Sequence, residues 1–327
     1  MKVLVTGGAG FIGSHLCDRL IKSGHQVFVI DDLSTGQIEN IEQLKGHTNF
    51  HYTIDTITNK PLIHELIDKC DVIYHLAAAV GVKLIVERPV HSIETNIYGT
   101  ELIFKYASQK NKRTIIASTS EVYGKSGKVP FSENDDLILG PTHIARWSYA
   151  CSKAIDEYLA HAYWNEKRLP VTVVRFFNTV GPRQVGHYGM VIPRFIRAAL
   201  AGEDILVYGD GDQTRCFGHV YDIVEALELL MNVPQSYGET INLGQPEEVS
   251  INYLAERVIK LCESPSQVRH ISFEEAYGRG FEDMRRRVPD ITKAKRIFGF
   301  FPKRNLNDIL HDSIAHLRLL GAPATLR

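Results

Sequence analysis

The chain has 327 residues, more than one compact domain usually holds, and is long enough for one large α/β unit or two interleaved lobes around a sizeable core. Lysine plus arginine number 37 against 38 for aspartate plus glutamate, which excludes a global electrostatic attraction to nucleic acid or to a membrane surface. An anionic ligand then needs a local basic site.

Met1-Lys2 runs straight into "VLVTG" without a signal-type hydrophobic segment, and the longest apolar stretch, "VIYHLAAAVGVKLIV", is interrupted by His75 and Lys83. A soluble cytoplasmic protein is the expectation. Short β-branched runs at 3–6, 27–30, 72–75, 114–117 and 171–175 alternate with amphipathic stretches, the signature of parallel βαβ units. Runs such as "VLV", "VFVI" and "TIIA" are apolar throughout, as in strands covered by helices on both faces. The fold class is thus α/β, a doubly wound parallel sheet of the Rossmann type. Residues 1–178 form the dinucleotide-binding domain and 179–327 a smaller substrate lobe. In that second part the pattern predicts helices at 191–201, 220–231, 251–262 and 307–319, a short strand at 205–207, and a strand near 239–244 that returns to the main sheet and interleaves the lobes.

The turn after the first strand reads "TGGAGFIGSHL". Gly7, Gly10 and Gly13 let the backbone approach a pyrophosphate closely, with Phe11 and Ile12 opening the helix whose N-terminal amides hold its charge. Asp31 closes the second strand about 20 residues on, where a carboxylate accepts the adenosine ribose hydroxyls and repels a 2′-phosphate. The cofactor expected is NAD rather than NADP. Tyr149 and Lys153 stand four apart in "WSYACSK", on one helix face. A phenol is a poor base at neutral pH, but a neighbouring ammonium and a positive nicotinamide favour its phenolate.

Cys17, Cys70, Cys151, Cys216 and Cys262 are scattered and form no CxxC pair, so they read as reduced core thiols and not as a disulfide framework or a metal site. His75 ends a strand and reads as structural, His187 receives no role, and Trp147 reads as packing beside the site. Arg285 and Arg286 read as a solvated turn balanced by Glu282 and Asp283.

With "TGGAGFIGSHL", "YHLAA", "STSEVYG", "YACSK", "RFFNTVGPRQ", "VIPRF", "YGDGDQTR" and "INLG", the chain resembles the extended short-chain dehydrogenases that act on nucleotide sugars. The resemblance implies a 4-keto sugar intermediate, with Thr119 sharing the sugar 4-hydroxyl with Tyr149. It also implies Lys153 on the nicotinamide ribose, Asn178 and Arg215 on the sugar diphosphate, a UDP sugar as substrate, and a homodimer formed through helices at 93–109 and 149–165. Asp55 is placed either at the adenine amino group, as family residues in this loop are, or as a plain loop aspartate.

Glu121 separates three reactions of that family. A 4-epimerase needs no further acid or base beyond the hydride relay. A 4,6-dehydratase carries Asp-Glu where this chain has Ser120-Glu121, and the missing aspartate disfavours it. Ser-Glu resembles the UDP-glucuronate decarboxylases, in which C4 oxidation makes a β-keto acid that loses carbon dioxide. Arg146 and Arg287 then supply the local cations for an anionic uronate. Two departures keep a UDP-hexose or UDP-uronate 4-epimerase as the alternative: "HLAAAVGVKLIVERP" has Leu84 where decarboxylases carry a tyrosine, and "GMVIPRF" reads like epimerases. A dinucleotide-binding regulator without turnover is the alternative of a different class.

Overall fold

A computed structural model describes residues 1–79, 88–144, 146–186, 190–277 and 284–321, with the side chains of Arg146 and Tyr277 outside that description. Seven strands form one parallel sheet: β1 (Lys2–Thr6), β2 (Gln26–Asp31), β3 (Phe50–Ile54), β4 (Val72–His75), β5 (Arg113–Thr119), β6 (Val171–Phe176) and β11 (Thr240–Leu243), in the order β11-β6-β5-β4-β1-β2-β3. The order reverses between β1 and β4, whose register pairs Thr6 with His75. In open α/β sheets that reversal opens a crevice at the carboxyl ends of the strands. Both runs leading into the predicted cofactor and catalytic motifs end there.

Helices bury both faces, which is why the strands read as unbroken apolar runs. On one face Val3, Val5 and Val29 pack against Leu16 and Leu20 of α1 (Phe11–Lys22). On the other, Leu4, Ile73 and Ile116 meet Ile63 of α2 (Lys60–Lys69) and Ile103 and Phe104 of α3 (Pro89–Gln109). Ala160 of α4 (Arg146–Lys167) joins the same cluster, so α3 and α4 lie on one face.

A second core is built from α5 (Val191–Ala201), β8 (Ile205–Tyr208), α7 (Ile251–Cys262) and α10 (Leu306–Leu319), through Phe195, Val207, Leu254 and Leu310. The lobes interleave. Strand β11 completes the main sheet beside β6, and α6 (Val220–Leu230) lays Ile223 and Leu227 into the core under α1. Short pairs hold the second lobe together: β7 (Thr179–Val180) with β10 (Gly218–His219), β9 (Thr214–Cys216) with β12 (Glu248–Ser250), and β8 with β13 (Val268–Ile271). Helices α8 (Phe273–Tyr277) and α9 (Thr292–Phe298) complete the described elements. No helix among the described residues is long and apolar enough to cross a membrane.

Four cysteines are buried as expected, but Cys151 is exposed on α4, facing outward from the helix rather than into the core. His75 is structural as expected. It is fully buried, with Nδ1 2.8 Å from Thr6 Oγ1 and Nε2 3.1 Å from Thr100 Oγ1, and burial pushes its pKa down to about 3.

Candidate active site

One cavity of about 500 Å³ runs from the glycine turn, past the ends of β4 and β5, to the inner wall of the second lobe. At one end Gly7 adopts φ +72° and accepts from the Gly10 N–H at 3.1 Å, closing the turn before α1. A Cβ on Gly13 would stand 2.1 Å from the Gly7 carbonyl oxygen, so a side chain there fills the space that brings helix and strand together. The first turn of α1 carries no acidic residue, leaving its amides and dipole available to an anion.

Asp31 lies at the edge of this turn and is buried. Its Oδ2 accepts from Ala9 N and its Oδ1 from Leu33 N, both at 2.9 Å, so the carboxylate braces the loop it serves. Burial raises its pKa against those two bonds. A carboxylate has lone pairs beyond these two, and a ribose diol can use them. The glycine cradle, the acid-free helix start and Asp31 together fit a dinucleotide without a 2′-phosphate.

At the centre, the "STSEVYG" stretch leaves β5 and folds into a 3-10 turn (Ser120–Tyr123) capped by Thr119, whose Oγ1 accepts from Glu121 N at 3.2 Å. Tyr123 anchors the turn from beneath, stacked on Phe131 and donating to Asn242 Oδ1 on β11 at 2.8 Å. Glu121 is thereby fixed at the cavity wall. Tyr149 reaches the same wall from α4, and its phenol hydrogen-bonds the Thr119 hydroxyl.

The electrostatics differ from the sequence expectation. Tyr149 is pushed well above the ordinary phenol range by desolvation and by the charges of Glu121 and Asp156. Lys153, four residues on, places its ammonium 2.8 Å from Asp156 Oδ2, with both side chains buried. The lysine charge is thus neutralised by a carboxylate that the sequence reading passed over. Activation of the phenol is left to whatever positive charge binds beside it.

Arg287 faces Glu121 across the cavity, Nη1 to Oε1 at 2.8 Å, with the arginine side chain nine-tenths buried. Two backbone bonds set its segment: Thr214 N donates to Arg285 O at 3.0 Å, and Phe131 N to Val288 O at 2.8 Å. Arg285 and Arg286 are exposed, as expected, and pair with Asp210 and Glu248 of the second lobe, while Glu282 and Asp283 lie outside the described residues. Asn178 donates from Nδ2 to Cys216 O at 3.0 Å, and Arg215 is buried with Nη1 2.8 Å from Thr214 O. Both line the far end of the cavity.

Among the described side chains, every site residue read from the sequence lines this cavity except Asp55. Asp55 accepts from Thr56 N at 2.7 Å and from Asn59 Nδ2 at 2.8 Å, so its carboxylate organises the loop before α2. The backbone of Arg146 opens α4, while its side chain, Leu84 and His187 lie outside the described residues. Trp147 is buried, as expected of a packing residue, and lines a separate cavity with Lys125 and Met284. Arg194, on the α5 face of the cavity with its guanidinium 4.0 Å from the centre of the Tyr208 ring, was missed. "VIPRF" carried it in plain sight, but one arginine on an amphipathic helix has no local signature of a ligand. Among the described residues no group of His, Cys, Asp or Glu could hold a metal ion.

The chain matches known proteins along nearly its whole length. The sequence model of the family described as GDP-mannose 4,6 dehydratase matches residues 4–313. The UDP-N-acetyl-alpha-D-glucosaminuronate decarboxylase of Bacillus cytotoxicus is 46% identical over 318 residues, 97% of this chain and 98% of that protein. UDP-glucuronic acid decarboxylase 1 of Xenopus tropicalis is 37% identical over 97% of this chain and 72% of its own length. Among solved structures, UDP-glucuronic acid 4-epimerase from Bacillus cereus, in complex with UDP-glucuronic acid and NAD, superposes with a TM-score of 0.87 at 28% identity, covering 98% of this chain and all of that one. By its full-length match, its sheet and its cleft, the chain belongs to the extended short-chain dehydrogenase/reductase family of nucleotide-sugar enzymes.

Proposed function

We propose that the protein is an NAD-dependent decarboxylase of a UDP-uronic acid that works through a 4-keto sugar. The observation that carries this reading is the Glu121–Arg287 pair placed beside Thr119 and Tyr149. It sets a carboxylate and a cation at the centre where a hydroxyl is deprotonated, more than a simple hydride relay requires. Gly7, Gly10, Phe11, Ile12, Gly13 and Asp31, with Lys153 at the ribose, would hold NAD, which would supply the oxidation as acceptor and later donor of the C4 hydride.

Thr119 holds the 4-hydroxyl and Tyr149 removes its proton. The resulting ketone stands β to the C5 carboxylate, so the C5–C6 bond breaks, carbon dioxide leaves and the electron pair enters the C4 carbonyl as an enolate. Arg287 orients the carboxylate, and Glu121 passes to C5 a proton taken up from solvent. Tyr149 then returns its proton to O4, giving the UDP-pentose. Ser120 and Arg146 contact the sugar, and Asn178, Arg215 and the additional Arg194 hold the diphosphate.

The mechanism needs only a C4 hydroxyl and a C5 carboxylate, so it is indifferent to the C2 substituent. The relative at 46% identity is named for the 2-acetamido sugar and the one at 37% for the 2-hydroxy sugar, so both UDP-uronates are the candidate substrates of this reading. Incubation with each UDP-uronate, labelled at the carboxylate and followed by NMR, tests this: release of labelled carbon dioxide with a UDP-pentose is the expected result. A galacto-configured product that retains its label would replace this reading with a 4-epimerase, the activity named for the Bacillus cereus structure. No turnover despite bound NAD would leave the dinucleotide-binding regulator.

The protein acts as a homodimer in this reading. Val90 and Ile93 of α3 and Ile155 and Tyr158 of α4 are exposed apolar side chains on paired helices, Tyr158 at 71%, and Cys151 shares that helix. Sedimentation at the monomer mass at micromolar concentration would reject it. A cytoplasmic site of action is part of the same reading.

A further inference from the structure

The turn Gly181-Pro182-Arg183-Gln184 interrupts the cavity wall: Asn178, Thr179 and Val180 line the cavity before it, and Gln184 and Val185 as the chain leaves it. Its backbone is not one these residues adopt freely. Arg183 takes φ +67°, in the left-handed region that a Cβ disfavours, and such a conformation persists where surrounding contacts hold it. Within the segment, Gln184 N donates to Gly181 O at 3.3 Å and Gln184 Nε2 to Thr179 O at 3.0 Å. Thr179 Oγ1 and Gln184 Oε1 are buried without a hydrogen-bond partner among the described residues, so the segment's own side chains restrain it only in part.

Two further contacts reach the turn from α1, the helix that opens at the glycine turn. His15 Nε2 lies 2.8 Å from Pro182 O, and Arg183 Nη2 lies 2.8 Å from Asp18 Oδ2. A carbonyl only accepts, so Nε2 carries the proton and donates. Burial keeps the imidazole from taking a second proton, its pKa falling to about 4. The ring stands edge-on to Phe11, 5.9 Å between centres, and to Tyr221 of α6, 5.3 Å between centres. Phe11 lines the cofactor end of the cavity. The Asp18–Arg183 pair is partly exposed and screened by solvent, whereas His15 is 5% exposed, so the buried hydrogen bond is the firmer of the two restraints.

We propose that His15 is a positioning residue for the sugar nucleotide: from α1 its Nε2–H holds Pro182 O, and with it the wall from Asn178 to Val185 against which the diphosphate lies. This rests on the reading of Asn178 as a diphosphate residue. On its other side the same wall is tied to the second lobe. Asn178 donates from Nδ2 to Cys216 O at 3.0 Å and accepts from Gly218 N at 3.1 Å, and β7 pairs Thr179 with Gly218 and Val180 with His219. His15 thereby sets the spacing between the helix that cradles the dinucleotide and the segment that receives the sugar nucleotide. The glycine turn is closed by its own Gly10–Gly7 bond, so losing the imidazole donor loosens the second site and leaves the first.

The test is isothermal titration of UDP into the NAD-saturated protein, with NAD affinity measured separately; it needs no turnover, so it is independent of whether the enzyme decarboxylates or epimerises. His15→Phe keeps a ring between Phe11 and Tyr221 and removes the donor, while His15→Gln brings an amide N–H to the place of Nε2. In the Phe variant the UDP Kd is expected to rise about five- to tenfold with NAD affinity held within about twofold, and the Gln variant is expected to restore UDP binding to within about twofold of the unaltered protein. His15→Asn, whose amide falls short of Pro182, serves if the Phe variant does not fold and is expected to weaken UDP binding alike. A UDP affinity that is unchanged in the Phe or Asn variant, that falls together with NAD affinity, or that Gln does not restore overturns the proposal. If the unaltered, NAD-saturated protein binds no UDP, the nucleotide-sugar reading itself fails and takes this proposal with it.

Discussion

The Arg287 guanidinium lies 2.8 Å from the Glu121 carboxylate, joining a residue at the end of β5 to one in the segment before α9. In the proposed mechanism the pair closes the reacting centre from the second lobe. Glu121→Gln keeps the size of the side chain and removes its proton-carrying ability, so carbon dioxide release should slow by about 10² while KM changes little. Arg287→Met should instead raise KM for the uronate and leave inhibition by UDP alone nearly unchanged. Steady-state kinetics on both variants check this; equal KM effects would mean that Glu121 only binds.

Tyr149→Phe should lower turnover by about 10² to 10⁴ while NAD binding is retained, since in the proposed mechanism it removes the base and leaves the cofactor cradle intact. Because burial, Glu121 and Asp156 all push the phenol upward, the oxidation step should accelerate as pH rises and the phenolate becomes accessible. The acid limb of the rate profile reports this, and a rate independent of pH from 6 to 9 would contradict it, taking about 6 to 9 as the working range of such profiles.

Gly13→Ala introduces a Cβ 2.1 Å from the Gly7 carbonyl oxygen, a contact that backbone must move to relieve. NAD affinity should fall by about tenfold or more, equivalent to at least ~1.4 kcal/mol. Isothermal titration measures it directly. Substitution at Gly127, where a Cβ meets nothing within 4 Å, is the control.

Glu157 accepts from Arg175 Nε and Nη2, the closest contact being 2.6 Å, with both side chains about 6% exposed. Glu157→Ala strands a buried guanidinium and should destabilise the fold by about 3 to 5 kcal/mol. Urea denaturation gives the value. Because Arg175 also stacks over the Tyr123 ring, at 4.7 Å, the loop carrying Glu121 should loosen with it.

Buried His75 stays neutral down to about 3, whereas the unfolded chain protonates it near 6.5. Between those values the unfolded state binds the extra proton. Stability is therefore full above pH 6.5 and declines as pH falls toward 3, by about 1.4 kcal/mol per pH unit for one such group. His15, lowered to about 4 by burial, acts in the same direction. His75→Asn should flatten the slope of unfolding free energy by about one proton across this window, read from urea melts at several pH values.

Local pattern carried most of the fold. The runs that became β1, β2, β4, β5 and β6 are apolar because both faces are covered, and Val191–Ala201 and Ile251–Cys262 begin and end where their periodicity does. Strand β3 was not legible: "FHYTI" alternates and is half exposed at the sheet edge, so it lacks the continuous apolar run of its neighbours. The glycine turn with Asp31 and the Tyr149–Lys153 pair were legible because each lies within a short, geometrically constrained stretch.

What tertiary structure alone decided are the pairings between charges. Nothing near Glu121 in sequence announces Arg287, and their meeting depends on β9 and Phe131 holding the later segment in place. Lys153 was read with Tyr149 because helices place residues four apart on one face. Residues three apart share that face as well, and burial gave the lysine charge to Asp156. Helical spacing states which side chains are neighbours, but which of two neighbours receives a buried charge depends on how completely the surrounding chain excludes water, and only the packed fold settles that.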